Sequence, residues 1–179
     1  WSSDVCSSDL SEVRGAVDTR ADSDYKTGFA TAGRRGDNWH VSVRGAGYDE
    51  TRNNGTVVQV NDTTWKQFSA EGGGIFGGGV LNLHAVGSSQ DYHQTFSAVA
   101  GATAAAPARA TERLTFEQFI NTSHRAFNGQ FTRPIGKVTM ILGGDVHRTD
   151  SAQDELRFVL VSGVNTKTGP FRSEEHTSE

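Results

Sequence analysis

Cysteine and proline are scarce in this sequence of 179 residues, and long apolar runs are absent. The single cysteine, Cys6, cannot form an internal disulfide, and three prolines are too few for a proline-rich linker or a collagen-like repeat. No run of 18 apolar residues occurs, which excludes a transmembrane helix. The absence of such a run leaves membrane-spanning strands possible, because only alternate residues of such strands face lipid.

The two ends of the sequence resemble translated sequencing-adapter DNA. The last eight residues, RSEEHTSE, can be encoded by AGATCGGAAGAGCACACGTCTGAA, and its reverse complement, read behind TGGAG, encodes the first ten residues, WSSDVCSSDL. We therefore expect residues 1–10 and 172–179 to be adapter-derived and residues 11–171 to form the natural domain. Without these ends, 16 of the 17 basic and 16 of the 21 acidic residues remain, and the cysteine is gone. This neutral balance argues against a nucleic-acid partner, which would require a basic stripe.

Apolar and polar residues alternate at every second position through much of residues 11–171, whereas helical periodicity is scarce. Successive side chains of a strand point to opposite faces, so this pattern predicts sheets with one polar and one apolar face. We predict an all-β fold with strands near residues 23–33, 38–48, 63–75, 79–92, 112–131 and 137–149, and a weaker seventh candidate at Glu155–Ser162.

The alternation also assigns residues to the two faces. One face is predicted to carry polar side chains, namely His40, Ser42, Arg44, Gln67, Ser69, Glu71, Asn82, His84, Ser88, Gln90, Asn128, Gln130, Thr139, Asp145 and His147. The other is predicted to carry Val41, Val43, Phe68, Ala70, Leu81, Leu83, Phe127, Val138, Met140 and Leu142. In a membrane barrel the polar face lines the interior and the apolar face meets lipid, whereas in a soluble sandwich the apolar face is buried.

The connections between the predicted strands are alternately short and long. Short turns are predicted near residues 34–38, 76–79 and 133–136, and long loops at Asp49–Asp62, at His93–Thr111 and from about Thr149. An antiparallel up-and-down meander places all short turns at one end and all long loops at the other, as outer-membrane barrels do. Two rows of aromatic residues predict interfacial girdles at these ends: Trp39, Phe76 and Phe131 beside the turns, and Tyr25, Tyr48, Trp65 and Tyr92 near the loops.

Several segments, taken in order, resemble the C-terminal β-barrel of TonB-dependent outer-membrane receptors. They are RGAVDT at 14–19, DETRNNGT at 49–56, NDT at 61–63, QDYHQTFSAV at 90–99 and GGDVHR at 143–148. The resemblance covers most of residues 11–155 and implies a partial segment of a large outer-membrane β-barrel, which in isolation would be an open curved sheet.

The same resemblance implies partners and a function. Such receptors lie in the lipid bilayer of the outer membrane and hold a plug domain inside the barrel. The plug carries a segment that engages the TonB protein, whose energy drives import of a scarce small nutrient. The nutrients are typically metal chelates, vitamins or saccharides. A receptor of this kind is not an enzyme, and we expect no cofactor.

For a receptor, binding is expected in the long outer loops and the wall beside them. The predicted ligand-binding residues are Arg52, Asn53 and Asn54 in one loop, and His93, Gln94 and Phe96 in the next. We predict no catalytic residue and no metal site, because no nucleophile–base arrangement and no histidine pair with helical metal-site spacing are evident.

Two other functions fit the same pattern. One is a passive outer-membrane porin, whose polar face would line an open channel. The other is a soluble all-β carbohydrate-binding module, which needs a second sheet packed on the apolar face. The surroundings of Val41, Val43, Leu81 and Leu83 separate the membrane and soluble interpretations.

Overall fold

The structure, a computed structural model, describes residues 15–178, and these residues form one antiparallel β-sheet. Its strands are β1 (Asp18–Arg35), β2 (Trp39–Thr56), β3 (Val60–Phe76), β4 (Gly79–Val99), β5 (Glu112–Ile135), β6 (Val138–Val161) and β7 (Val164–Ser178). Each strand pairs with its neighbours in sequence, so the sheet order follows the chain from β1 to β7. The predicted all-β antiparallel meander is confirmed, and the sheet is open because β1 and β7 do not pair with each other.

Within residues 15–178, no helix has the length and apolar character needed to cross a membrane. The predicted adapter segment at residues 1–10 lies outside the described residues. Residues 172–178 belong to β7 and pair with the part of β6 that begins at Arg148.

The predicted long loops are mostly wrong, because the polar segments assigned to them continue the strands. β2 and β3 extend until three residues, 57–59, join them, and β4 extends to Val99. Arg52 pairs with Asn61, and Asp62 pairs with His93. The ladder hydrogen bonds of neighbouring strands thus override the low strand preference of Asn and Asp. Of the three predicted long loops, residues 100–111 alone remain a long connection.

The weaker seventh candidate, Glu155–Ser162, is also wrong as a separate strand. It forms the end of β6, and a two-residue turn at Ser162 and Gly163 leads into β7. Their φ angles of 51° and 80° are those of a type I′ hairpin turn. The Ser-Gly dipeptide is the sequence signal that identifies this turn.

The strand register confirms both predicted faces. Residues paired across antiparallel strands project to the same side, so the register can be followed from β2 to β6 as a row. One row contains Ser42, Glu71, His84, Asn128 and Asp145. We call the side that carries this row the polar face.

The adjacent row lies on the opposite side of the sheet, which we call the apolar face. This row contains Val43, Ala70, Ala85, Phe127 and Val146. The predicted apolar residues all share its side, because they stand an even number of positions from it along their strands.

The apolar face has an exposed apolar band near the turns at residues 36–38, 77–78 and 136–137. We define this apolar band as Val41, Val43, Phe68, Ala70, Leu81, Leu83, Phe127, Val138, Met140, Leu142 and Val146. Exposure reaches 39% for Val43 and 58% for Phe68. Among residues 15–178, Val17 is the one buried apolar side chain, so the sheet has no apolar core on either face.

The apolar face becomes charged further along the strands. Lys26, Lys66, Arg125 and Arg148 lie on this face beyond the apolar band, and all four are exposed. The apolar character is therefore confined to the half of the sheet nearest those three turns.

One of the two predicted aromatic girdles is wrong. Trp39, Phe76 and Phe131 lie on the apolar face beside the short turns, as a lipid-facing girdle requires. Tyr48 and Trp65 pair with each other on the polar face, where Tyr25 and Tyr92 also lie. Each stands an even number of positions from a polar-face residue of its own strand, so alternation directs its ring away from the apolar band.

A substitution in the turn between β3 and β4 tests the hairpin geometry. Gly77 and Gly78 both have positive φ, 58° and 75°, and a Cβ at Gly77 would meet no atom within 4 Å. Gly77→Ala should therefore destabilise the sheet by about 1–2 kcal/mol through backbone strain alone. The measurement is urea unfolding followed by tryptophan fluorescence.

Gly144→Ala is the matched control. Gly144 lies in β6, has equally open space and does not have a positive φ. At this position the substitution should stabilise the sheet by about 0.4–1 kcal/mol, because alanine restricts the conformations of the unfolded chain. Equal effects at the two glycines would contradict the turn assignment.

Candidate functional site

The six predicted ligand-binding residues are divided between the two faces. Arg52 and Asn54 of β2 and Gln94 and Phe96 of β4 project from the polar face. Asn53 and His93 project from the opposite face, because each follows or precedes a polar-face residue by one position. All six lie in strands rather than in the predicted loops.

The register brings two of the polar-face residues into one row. Arg52 pairs with Asn61 of β3, and Asn61 pairs with Gln94 of β4. Asn54 joins this group because its Nδ2 donates to Asn61 Oδ1 at 2.8 Å. Phe96 lies apart and packs on Phe116 of β5, with ring centroids 5.3 Å apart.

Asn53 and His93 have structural contacts on the other face. Asn53 Oδ1 accepts from Thr19 Oγ1 and from its neighbour Gly55 N, both at 3.3 Å. His93 Nδ1 lies 3.2 Å from Asp62 Oδ2 and its Nε2 lies 2.9 Å from Glu117 Oε1. Both ring nitrogens are thus engaged, and this bridge joins β3, β4 and β5.

No group of three or more His, Cys, Asp or Glu within residues 15–178 is arranged to hold a metal ion. The His93 bridge to the carboxylates of Asp62 and Glu117 is a contact between neighbouring strands. The ring of His93 also stacks on Phe119, with centroids 4.5 Å apart and planes 14° from parallel.

An aromatic stripe crosses four neighbouring strands on the polar face. It consists of Tyr25, Tyr48, Trp65 and Tyr92, from β1, β2, β3 and β4. Tyr48 and Trp65 are register partners, and the rings of Tyr25 and Tyr48 stack with centroids 6.2 Å apart. Tyr25 is 62% exposed and the other three are half-buried, so part of each ring remains accessible.

These four rings were predicted to form a girdle, and their place in a candidate site was missed. The signal was present: Tyr48 lies four positions after Arg44, and Trp65 lies two positions before Gln67. Counting by twos from these polar residues places both rings on the polar face.

A carboxylate at the border of the stripe is held by three side chains. Glu50 Oε1 accepts from Ser23 Oγ at 2.6 Å and from Arg52 Nη2 at 2.7 Å. Hydrogen bonds from Ser23, Arg52 and Tyr48 lower the pKa of Glu50, with Ser23 the largest contributor. Glu50 in turn raises the pKa of Arg52, so the two charges remain paired.

The other side chains that border the stripe are mostly uncharged. Their shared feature is a hydroxyl or carboxamide group, carried by Ser23, Thr27, Thr63, Gln67, Gln90 and Gln94. Tyr92 Oη donates to Gln94 Oε1 at 2.6 Å. A hollow of about 230 Å³ adjoins the stripe and is lined by Gln90, Tyr92, Ile120 and Thr122.

Comparison of the chain with protein-family models, curated proteins and solved structures finds no match.

The titration of Glu50 tests this arrangement. Arg52→Gln should raise the pKa of Glu50, because it removes one of the groups that lower it. A pKa that is lowered on folding stabilises the sheet above the unfolded-state value, and that contribution is lost as pH falls through the folded-state value. The measurement is an NMR titration of the Glu50 carboxyl carbon.

Arg44→Gln provides the control for this titration. Arg44 belongs to the same strand and face, but its guanidinium lies over the ring of Phe29, 4.8 Å from the centroid. Its loss should leave the Glu50 titration unchanged. An unchanged pKa in Arg52→Gln as well would contradict the pairing.

Proposed function

We propose that this sheet is part of the wall of an outer-membrane receptor that binds a scarce nutrient and imports it with energy supplied through TonB. One observation carries the proposal: an open antiparallel meander exposes a contiguous apolar band on one face and polar side chains on the other. Outer-membrane barrels have this combination, because their outer surface meets lipid and their interior meets water.

The length of the apolar band agrees with a membrane-spanning strand. On β6, apolar-face positions from Val138 to Val146 are apolar apart from Gly144. This stretch is about as long as the 9–11 residues with which a tilted strand crosses the hydrocarbon layer. In water, so much exposed apolar surface would favour association with other molecules.

The charged part of the apolar face supports the same proposal. Lys26, Lys66, Arg125 and Arg148 would be costly in the middle of the hydrocarbon layer, and they lie beyond the apolar band. The strands are then long enough to project past the lipid on the side of the loop at residues 100–111. This projecting part of the wall would carry the aromatic stripe on its inner side.

The unpaired edges of β1 and β7 are where further strands of a closed wall would pair. In this proposal the polar face surrounds a plug domain, and the contact with TonB belongs to the plug. The outer-membrane bilayer and a small nutrient ligand are the other partners, and no nucleic-acid partner is proposed.

The two rival functions agree less well with the side chains. A soluble carbohydrate-binding module needs a second sheet over the apolar band, and residues 15–178 form one sheet in which Val41 and Leu83 are 44% and 40% exposed. Leu81 is half-buried by its own neighbours in that sheet. A porin constriction would be lined by a cluster of charged side chains, whereas the charged residues beside the aromatic stripe, Glu50 and Arg52, form a pair.

Neighbouring residues of β4 test which face meets lipid. Leu83→Arg places a charge in the apolar band and should reduce the stability of the vesicle-bound chain by up to about 2–4 kcal/mol. His84 is the next residue and lies on the polar face, so His84→Arg should change the stability of the vesicle-bound chain little. The chain is diluted from urea into phosphatidylcholine vesicles, and the urea dependence of tryptophan fluorescence is measured.

Two outcomes would count against the membrane proposal. One is equal stability of the two variants in vesicles. The other is a parent chain that remains monomeric in buffer and does not enter vesicles, which would favour the soluble module.

A further inference from the structure

We infer that the aromatic stripe and its polar border bind a neutral oligosaccharide. The inference rests on the proposed function for the access of ligand to the polar face, and on the side chains of the stripe for the class of ligand. Three features support it: the accessible rings, the uncharged hydrogen-bonding border and the internally neutralised charge.

The rings supply flat apolar surfaces of suitable extent. The face of an aromatic ring carries partial negative charge, and the C–H groups on one side of a sugar ring carry partial positive charge, so the two stack favourably. Neighbouring strands are about 4.8 Å apart, so four strands spread the stripe over about 14 Å. That span exceeds one hexose and therefore favours a ligand of several sugar units.

The border of the stripe supplies hydrogen-bonding groups of the required kind. A carboxamide or a hydroxyl can both donate and accept, which is also true of each sugar hydroxyl. Gln90 and Gln94 flank Tyr92 on β4, and Thr63 is its register partner on β3. The hollow beside Tyr92 would admit a substituent of a sugar ring that is stacked on the stripe.

The charge of the site favours a neutral ligand over an anionic one. Glu50 and Arg52 are the charged residues among the described neighbours of the stripe, and their atoms lie 2.7 Å apart. An anionic ferric chelate would have to compete with Glu50 for the guanidinium and would face the carboxylate itself. A neutral polyhydroxylated ligand leaves this pair intact.

The experiment measures binding to the full chain in detergent by isothermal titration calorimetry. The probes are maltoheptaose, cellopentaose and xylopentaose, with glucose as the single-unit control and ferric citrate as the anionic alternative. We expect at least one oligosaccharide to bind more tightly than glucose, and ferric citrate not to bind.

Variants of the stripe connect any binding to this site. Trp65→Ala should weaken oligosaccharide binding about tenfold through the loss of ring stacking, and Trp65→Phe should restore part of it. Trp39→Ala removes a ring from the opposite face and should leave the affinity unchanged. Circular dichroism of each variant establishes that the sheet is retained, and Tyr92→Ala replaces Trp65→Ala if the latter does not fold.

The inference is overturned if no oligosaccharide of the panel binds, if Trp65→Ala and Tyr92→Ala bind as well as the parent chain, or if ferric citrate binds at the stripe instead. These failures differ from a failure of the proposed function. Vesicle insertion without oligosaccharide binding would reject the ligand class alone. Oligosaccharide binding by a chain that stays out of vesicles would reject the membrane wall.

Discussion

The pairing of antiparallel strands is the constraint on which the rest of this structure depends. Once Val43 is paired with Ala70, every second residue on both strands is directed to the same side. The five other strand pairings extend this rule across the sheet without a crossover. A shift of one residue in any pairing would mix the polar and apolar rows. The separate faces therefore depend on register, and the proposed lipid contact and ligand contact depend on separate faces.

The sheet does not bury an apolar core on either side, which distinguishes it from a soluble sandwich. The ladder hydrogen bonds and a few polar contacts hold together the end of the sheet near the 57–59 turn. Glu112, for example, accepts hydrogen bonds from Thr56, Ser97 and the backbone N–H of Val58, and so connects the 57–59 turn to β5. In the proposed receptor wall, a bilayer would cover the apolar band without requiring any rearrangement of the sheet.

The candidate site combines residues that are distant in sequence. Ser23, Glu50 and Arg52 interact because β1 lies beside β2, and Tyr92 is added two strands further on. Arg52 and Gln94 lie on the polar face, whereas Asn53 and His93, with which they were predicted as ligand-binding residues, lie on the opposite face. All four were predicted to be loop residues, and in a loop the alternation that separates the two faces has no meaning.

The sequence by itself determined the strand class, the two faces and the turns rich in glycine, because these follow from local alternation and backbone preference. Only the tertiary structure decided how far the strands extend, since polar residues such as Asn53 and Asp62 become strand residues through hydrogen bonds to a neighbouring strand. It also decided the surroundings of Tyr48 and Trp65. Their common face could be counted along each strand, but their contact requires the register between β2 and β3, which no single segment encodes.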